Sequence, residues 1–258
     1  QMHTHLEPVK VLIAEDGEVN MMLAKIIIKR IAPNAAILEA VNGQEAVELY
    51  KNELPDIVFM DIQMPEMNGY EATRMIRQMQ TNQRIPIVAI TAGTVKGERE
   101  KCLAAGMDDF ISKPIVENSV FNVFNKWFEV NEKVTEPVKE DKPAQEETPH
   151  ISFEKLKEIV GDDSEALKGF LALTRQEISR SLSELEDKYH KKDIVALHKS
   201  GHKLKGTALS AGLDKLLEIA IKFDKLRVYD ETHISGLITE ARNETGLILQ
   251  IIDKSLLN

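Results

Sequence analysis

The apolar positions in the first half of the chain fall into short runs separated by amphipathic stretches. The third and fourth runs are apolar nearly throughout, which is typical of central parallel strands covered on both faces. Helix-period stretches lie between the runs, for example at 18–31 and 43–53. This alternation predicts a parallel α/β sheet with right-handed crossovers. The predicted strands are residues 9–14, 36–40, 56–60, 85–91 and 109–112.

After residue 149 the apolar residues keep helical spacing throughout, and no strand pattern follows. This region predicts an up-down, all-α bundle of about four long helices led by a shorter one. Asp162, Asp163 and Asp193 are predicted N-terminal helix caps, and Gly212 is a predicted helix terminator.

Residues 130–149, VNEKVTEPVKEDKPAQEETP, separate the two patterns. The stretch holds three prolines, many charges and almost no large apolar side chains. It cannot bury enough surface to offset its ordering entropy, so we expect a flexible linker with a reach of roughly 25 Å. The predicted segments are an α/β domain at 8–130, a linker at 131–149 and a helical domain at 150–258.

The amino-acid composition limits the kinds of partner that the protein is expected to bind. Of the 258 residues, 29% are charged and the formal net charge is −9, which argues against a general affinity for nucleic acid. The single cysteine, Cys102, excludes an intrachain disulfide and fits a reducing compartment. No apolar run approaches the roughly 20 residues that span a bilayer. We therefore expect a cytoplasmic monomer without membrane contact, which is compatible with a membrane-bound parent protein.

Polar side chains gather where the predicted strands end. Glu15 and Asp16 follow the first strand, Asp61 follows the third, Thr91 ends the fourth, and Lys113 follows the fifth. The carboxyl ends of parallel strands meet at one edge of the sheet, where such folds bind ligands. Clustered carboxylates require a cation, and their hard oxygen atoms suit Mg²⁺. A carboxylate beside Mg²⁺ and lysine is a good nucleophile toward phosphorus, although acidic helix caps would explain single members.

Four sequence motifs resemble those of a known protein family. They are Glu15-Asp16, MDIQMPEMNGYE (60–71), ITAGT (90–94) and DDFISKP (108–114). In order and spacing they resemble the response-regulator receiver domain over roughly residues 8–130. The resemblance implies a flavodoxin-like fold with a five-stranded parallel sheet. Gly17 and Gly93 depart from the commonest forms of the family at the mouth of the pocket.

The resemblance also implies the role of each site residue. Asp61 would be phosphorylated, and Mg²⁺ would be held by Glu15, Asp16, Asp61 and the main-chain carbonyl of Gln63. Thr91 and Lys113 would bind the phosphoryl group. Phe110 would occupy the aromatic switch position, and the Lys113–Pro114 peptide would be cis.

His202 lies in SGHKLKGTALSAG (200–212), which permits several interpretations. A phosphate-binding P-loop is excluded because no lysine directly follows the second glycine and no strand precedes the stretch. A zinc-protease site pairing His198 with His202 is disfavoured because Lys199 stands where glutamate is required. A histidine without a role is the usual alternative, and we assign His190, His198 and His233 to it.

A phosphoryl acceptor is the remaining interpretation of His202. Gly206 lies one helical turn beyond it and removes a side chain that would shield the imidazole. Lys203 and Lys205 flank the ring and favour its neutral, nucleophilic form. HKLKGTALSAG resembles the histidine phosphotransfer domain, which implies phosphorylation of His202, phosphoryl binding by Lys205, and docking at Lys203 and Gly206. Gly201 replaces the more usual alanine and is expected to loosen the helix.

The order of the two regions resembles the C-terminal end of a hybrid sensor histidine kinase. We therefore predict a two-site phosphorelay module in which Asp61 exchanges a phosphoryl group with His202. The expected partners are a histidine kinase domain and a downstream response-regulator receiver. The chain carries no ATP-binding kinase motif, so it would be a phosphotransfer intermediate. The alternatives are a docking module switched by Asp61, or a His202 served by another protein's receiver with Asp61 as a phosphate sink.

Overall fold

The computed structural model describes residues 8–80, 84–91, 97–128, 150–161 and 163–257. The chain divides into two compact units, Gln1–Val130 and Asn131–Asn258. The predicted linker at 131–149 and the predicted cap Asp162 lie outside the described residues, and the exact domain boundaries stay a prediction. No described helix combines the length and apolarity needed to cross a membrane.

The first unit is the predicted five-stranded parallel sheet, with the strand order β2-β1-β3-β4-β5. The central strands β3 and β4 are completely buried, because helices cover both faces of the sheet. Helices α1 and α5 pack together, as do α2 with α3 and α3 with α4. The elements are β1 (Lys10–Ala14), α1 (Glu18–Ile31), β2 (Ala36–Ala40), α2 (Gly43–Glu53), β3 (Ile57–Asp61), α3 (Gly69–Met79), β4 (Ile87–Thr91), α4 (Glu98–Ala105), β5 (Asp109–Ser112) and α5 (Glu117–Phe128).

The second unit is helical, as predicted. Each of its longer helices packs against two others, α7 with α8, α8 with α9, α9 with α10, and α10 with α7. The short connections at 191–193 and 211–213 suit antiparallel neighbours. The helices are α6 (Phe153–Val160), α7 (Ser164–His190), α8 (Ile194–Ser210), α9 (Asp214–Asp224) and α10 (Glu231–Leu257).

The cap residues of α7 and α8 match the sequence pattern. The Asp163 side chain accepts hydrogen bonds from the main-chain nitrogens of Glu165 and Ala166, and Asp193 accepts one from that of Ala196. Gly212 follows α8 with φ of 62°, a left-handed conformation that glycine adopts without strain. The predicted N-terminal caps Asp163 and Asp193 and the predicted terminator Gly212 are therefore confirmed.

Candidate functional site

The sheet topology brings the polar strand ends to one edge. β3 pairs with β1 and β4, and β4 pairs with β5. Asp61 and Thr91 are therefore the last residues of two neighbouring strands, and both are buried. Within the described part of the chain, one group of side chains is close enough to share a metal ion. In that group, ligand atoms of Glu15, Asp16 and Asp61 lie within 4.8 Å of one another.

Lys113 holds two of these carboxylates. Its Nζ atom lies 2.7 Å from Glu15 Oε2 and donates to Asp61 Oδ2 at 2.9 Å. The main-chain nitrogen of Lys113 donates to the carbonyl of Thr91 at 2.6 Å, so the lysine is fixed to the end of β4. The predicted cis peptide between Lys113 and Pro114 is confirmed.

The charged side chains at this edge shift one another's pKa values. Burial raises the pKa of Glu15 and the charge of Asp61 adds to that rise, whereas Lys113 counteracts it. Burial by itself would lower the pKa of Lys113, but attraction by Asp61 and Glu15 outweighs burial and raises that pKa. The lysine therefore stays charged, and the edge retains an unbalanced negative charge that a divalent cation can neutralise.

Backbone contacts fix the position of Asp61. Its Oδ1 atom accepts a hydrogen bond from the main-chain nitrogen of Gln63 at 3.2 Å. A Cβ atom on Gly69 would lie 2.1 Å from the main-chain oxygen of Asp61, so only glycine lets α3 begin this close to the end of β3. The side chain of Gln63 points to solvent, and the predicted role of its carbonyl as a metal ligand stays a prediction.

Phe110, the predicted switch residue, lies on β5 with 41% of its surface exposed. The guanidinium carbon of Arg99, in the first turn of α4, lies 5.8 Å from the centre of the Phe110 ring. This cation–π contact links β5 to the start of α4. The ring is therefore accessible to a partner, and its role as a switch stays a prediction.

His202 lies on α8 with 21% of its side chain exposed. Its Nδ1 atom is 2.9 Å from Asp224 Oδ1, and Lys205 Nζ donates to Asp224 Oδ2 at 2.9 Å. Burial by itself would raise the pKa of Asp224, but hydrogen bonds from His202 and Lys205 outweigh burial and hold that pKa below its usual range. An ionised carboxylate can only accept, so Nδ1 of His202 carries the hydrogen and Nε2 is the free nitrogen of the neutral ring.

Asp224 changes the electrostatic environment predicted for His202. The sequence pattern placed two lysines around the ring, whereas the structure pairs Lys205 with a carboxylate that also contacts the ring. The structure therefore adds Asp224 to the surroundings of His202, and the predicted influence of the two lysines on the ring stays a prediction. Asp224 follows the buried Phe223 at the end of α9, and no sequence signal pairs it with α8.

His198 lies in the same cluster. Its Nδ1 atom is 3.8 Å from Asp224 Oδ1 and 3.3 Å from Arg227 Nη1. Arginine has no acceptor, so Nδ1 of His198 accepts this hydrogen bond. Lys203 is partly exposed beside His202, and Gly206 is buried one turn further along α8. Their predicted docking roles stay predictions.

Gly201 is a packing residue within α8, and the expectation that it loosens the helix stays a prediction. A Cβ atom at this position would lie 2.4 Å from the Cβ of Phe223 and 2.9 Å from the main-chain nitrogen of Asp224. The missing side chain lets α8 and α9 approach closely, and this approach brings Asp224 within hydrogen-bond distance of His202.

Asn20 is a further residue that the sequence did not indicate. It lies on α1, is 4% exposed, and its Nδ2 atom donates to Glu15 Oε1 at 2.9 Å. The apolar spacing of this helix does not show whether Asn20 faces the sheet or the solvent. Its contact with the acidic edge follows from the packing of α1 against the sheet.

The comparisons with known proteins agree with this geometry. Residues 11–125 match the family described as the response regulator receiver domain. The polar-differentiation response regulator DivK of Brucella anthropi is 38% identical over 108 residues, which cover 42% of this chain and 86% of DivK. The chain therefore belongs to the response regulator receiver domain family.

Other relatives are much longer than this chain. Hybrid signal transduction histidine kinase G of Dictyostelium discoideum is 44% identical over 128 residues, covering 48% of this chain and 4% of that kinase. The aerobic respiration control sensor protein ArcB of Escherichia coli is 28% identical over 217 residues, covering 83% of this chain and 27% of ArcB. That similarity is long enough to extend into the helical unit. The predicted resemblance to hybrid histidine kinases is confirmed.

One solved structure among those that match is a receiver domain of the sensor histidine kinase PA1611 from Pseudomonas aeruginosa. It is 30% identical to this chain, covers 48% of it and is itself 99% covered, with a TM-score of 0.44.

Proposed function

We propose that this chain is a two-site phosphorelay module that takes a phosphoryl group onto Asp61 and exchanges it with His202. The observation that carries the proposal is the position of Asp61, held by Lys113 beside the carboxylates of Glu15 and Asp16. His202 supplies the second site, because its free Nε2 atom and partial exposure suit a nucleophile.

Magnesium fits the donor set at the acidic edge. The clustered atoms are hard carboxylate oxygens, which Mg²⁺ prefers, and Lys113 balances only part of their charge. Glu15, Asp16 and Asp61 would hold the ion together with the main-chain carbonyl of Gln63. The bound ion would neutralise charge on the oxygens of the phosphoryl group.

Asp61 acts as the nucleophile in the first transfer. One carboxylate oxygen of Asp61 forms a bond to phosphorus while the phosphorus–nitrogen bond of a donor phosphohistidine breaks and the donor imidazole keeps the electron pair. Lys113 and the hydroxyl of Thr91 would bind the transferred group, and Phe110 would respond to the change at Thr91. The donor would be a histidine kinase domain, in keeping with the kinases among the relatives.

His202 acts as the nucleophile in the second transfer. Its Nε2 atom forms a bond to phosphorus while the bond between phosphorus and the Asp61 oxygen breaks, which returns the electron pair to the carboxylate. Asp224 fixes the ring through Nδ1 and stabilises the positive charge that the imidazole acquires. Lys205 would contact the phosphoryl oxygens. A receiver domain, in this chain or downstream, would be the partner, with Lys203 and Gly206 at the docking surface.

A phosphorylation assay tests the proposed function. We expect a small-molecule phosphodonor with Mg²⁺ to produce base-labile acyl phosphate on Asp61 and acid-labile phosphohistidine on His202. Asp61→Asn should lose both signals, and His202→Gln should lose only the second. His233→Gln, at an exposed histidine on α10, is the matched control and should keep both.

Two outcomes would contradict the relay. If His202→Gln phosphorylates a downstream receiver as well as the wild type does, His202 is not a relay site. If Asp61 is phosphorylated and His202 never is, from this or an added receiver, the chain is a docking module switched by Asp61.

Asp224→Ala should slow transfer to His202 by roughly 10²-fold, the order of the penalty for misplacing a reacting group. The expected reason is that Nδ1 of His202 loses its acceptor, so the ring rotates and the tautomer is no longer fixed. Single-turnover transfer from a phosphorylated receiver measures the rate. Asp214→Ala, which removes an exposed contact to Lys155 at the other end of α9, should leave the rate unchanged.

A further inference from the structure

One oxygen of Glu15 is fully engaged inside the protein. Oε1 accepts hydrogen bonds from the main-chain nitrogen of Gly17 at 3.1 Å and from Asn20 Nδ2 at 2.9 Å. Oε2 instead forms an ion pair with Lys113, whose Nζ atom lies 2.7 Å away. The two oxygens of this buried carboxylate therefore differ, and only Oε2 is available to a cation.

The amide of Asn20 keeps this orientation although it leaves one of its polar atoms without a hydrogen bond to the described part of the chain. Its Oδ1 atom has no hydrogen-bond partner among the described residues, which costs free energy in a buried site. Turning the amide over would place Oδ1 against Glu15 Oε1, and neither oxygen can donate. The bond to Glu15 therefore sets the orientation of Asn20.

Gly17 makes room for the bond between Asn20 and Glu15. A Cβ atom on residue 17 would lie 2.9 Å from Asn20 Nδ2 and 3.0 Å from Glu15 Oε1. A side chain at residue 17 would therefore contact both partners of this hydrogen bond. The three residues form one arrangement that immobilises Glu15 Oε1.

We propose that Asn20 is a specificity-determining positioning residue that makes the site favour Mg²⁺ over Ca²⁺. The proposal rests on the metal site of the proposed function. Mg²⁺ requires near-octahedral coordination by single oxygen atoms, whereas Ca²⁺ takes more ligands and accepts both oxygens of one carboxylate. By holding Oε1, Asn20 restricts Glu15 to one oxygen, either directly or through a water molecule. Ca²⁺ therefore cannot bind the second carboxylate oxygen of Glu15, which it would otherwise use as a ligand.

Loss of the Asn20 amide should change the preference between the two ions. In Asn20→Ala only the main-chain nitrogen of Gly17, of the two described donors, still donates to Oε1, so the carboxylate of Glu15 can turn more readily and offer both oxygens. We expect the ratio of the Mg²⁺ and Ca²⁺ association constants to fall roughly tenfold, the lower end of the usual effect of an outer-shell partner on metal affinity. Asn20→Leu, which keeps the branched shape and the number of side-chain heavy atoms but removes the amide, should change the ratio in the same direction.

Titration of the full chain with MgCl₂ and with CaCl₂ tests the proposal. Calorimetry gives both association constants, and the shift in thermal midpoint at fixed metal concentration gives an independent measure. Asn42→Ala is the matched control, because Asn42 is a buried asparagine that caps α2 and contacts Glu45 and Glu66 rather than Glu15. It should lower stability and leave the ratio unchanged.

The outcomes separate this proposal from the proposed function. If the folded Asn20 variants keep the wild-type ratio, or if Asn42→Ala changes it equally, Asn20 does not determine specificity. If the wild type binds neither ion, the metal site of the proposed function is itself wrong. A lower ratio in the Asn20 variants alone supports the proposal.

Discussion

Gly201→Ala is expected to destabilise the helical unit by about 3 kcal/mol, at the upper end of typical overpacking costs. The added methyl group would overlap the Cβ of Phe223 at 2.4 Å and its carbonyl carbon at 2.8 Å. Main-chain atoms cannot rotate away, so α8 and α9 must separate. The separation would also carry Asp224 away from His202, and transfer to His202 should fall together with stability.

Gly236→Ala is the matched control for Gly201. Gly236 lies within α10 and is exposed, and apart from its chain neighbours and the backbone of its own helix no described atom lies within 4 Å of an added Cβ. Its replacement should raise stability by about 0.5–1 kcal/mol, because alanine loses less backbone entropy in a helix. Chemical denaturation of both variants measures the two effects. Equal stability of Gly201→Ala and the wild type would show that α8 and α9 tolerate a wider spacing.

Lys113→Met is expected to destabilise the metal-free α/β unit by about 3–5 kcal/mol, the usual cost of leaving a buried charge without its partner. Lys113 is almost completely buried between Glu15 and Asp61, and methionine keeps its length without its charge. The uncompensated carboxylates should then depend on a bound cation. We therefore expect Mg²⁺ to stabilise this variant more than it stabilises the wild type.

Denaturation with and without Mg²⁺ measures the effect at Lys113. The matched control is Lys126→Met, because Lys126 forms an exposed ion pair with Asp109. Such pairs contribute about 0–1 kcal/mol, so this variant should resemble the wild type and gain nothing extra from Mg²⁺. A Lys113→Met protein as stable as the wild type without Mg²⁺ would show that the lysine does not compensate the carboxylates.

The elements of the first unit could be predicted because burial leaves a plain pattern in the sequence. β3 and β4 are buried on both faces, so their residues form continuous apolar runs. Helices α1 and α2 begin and end where their apolar spacing does, at 18–31 and 43–53. The boundaries of β1, β3 and β4 shift by one or two residues, because the apolar run and the hydrogen-bonded ladder need not coincide.

The acidic edge was predictable because parallel topology is itself a constraint. Residues at the carboxyl ends of neighbouring strands must share one edge, so Glu15, Asp16, Asp61, Thr91 and Lys113 could be placed together before any distance was known. The roles of these residues in phosphoryl transfer are inferred from the resemblance to the receiver family and belong to the proposed function.

The sequence by itself determined that one unit is α/β and the other helical, that carboxylates lie at the strand ends, and that His202 is a candidate phosphoryl acceptor. Each of these follows from the local spacing of residues or from their position after a strand. Tertiary structure alone decided that Asp224 faces His202, that Gly201 lets α8 and α9 approach closely and that Asn20 holds one oxygen of Glu15. These contacts join neighbouring elements, either between helices or across the end of a strand. Their geometry depends on the distance at which the elements pack, and no local pattern specifies that distance.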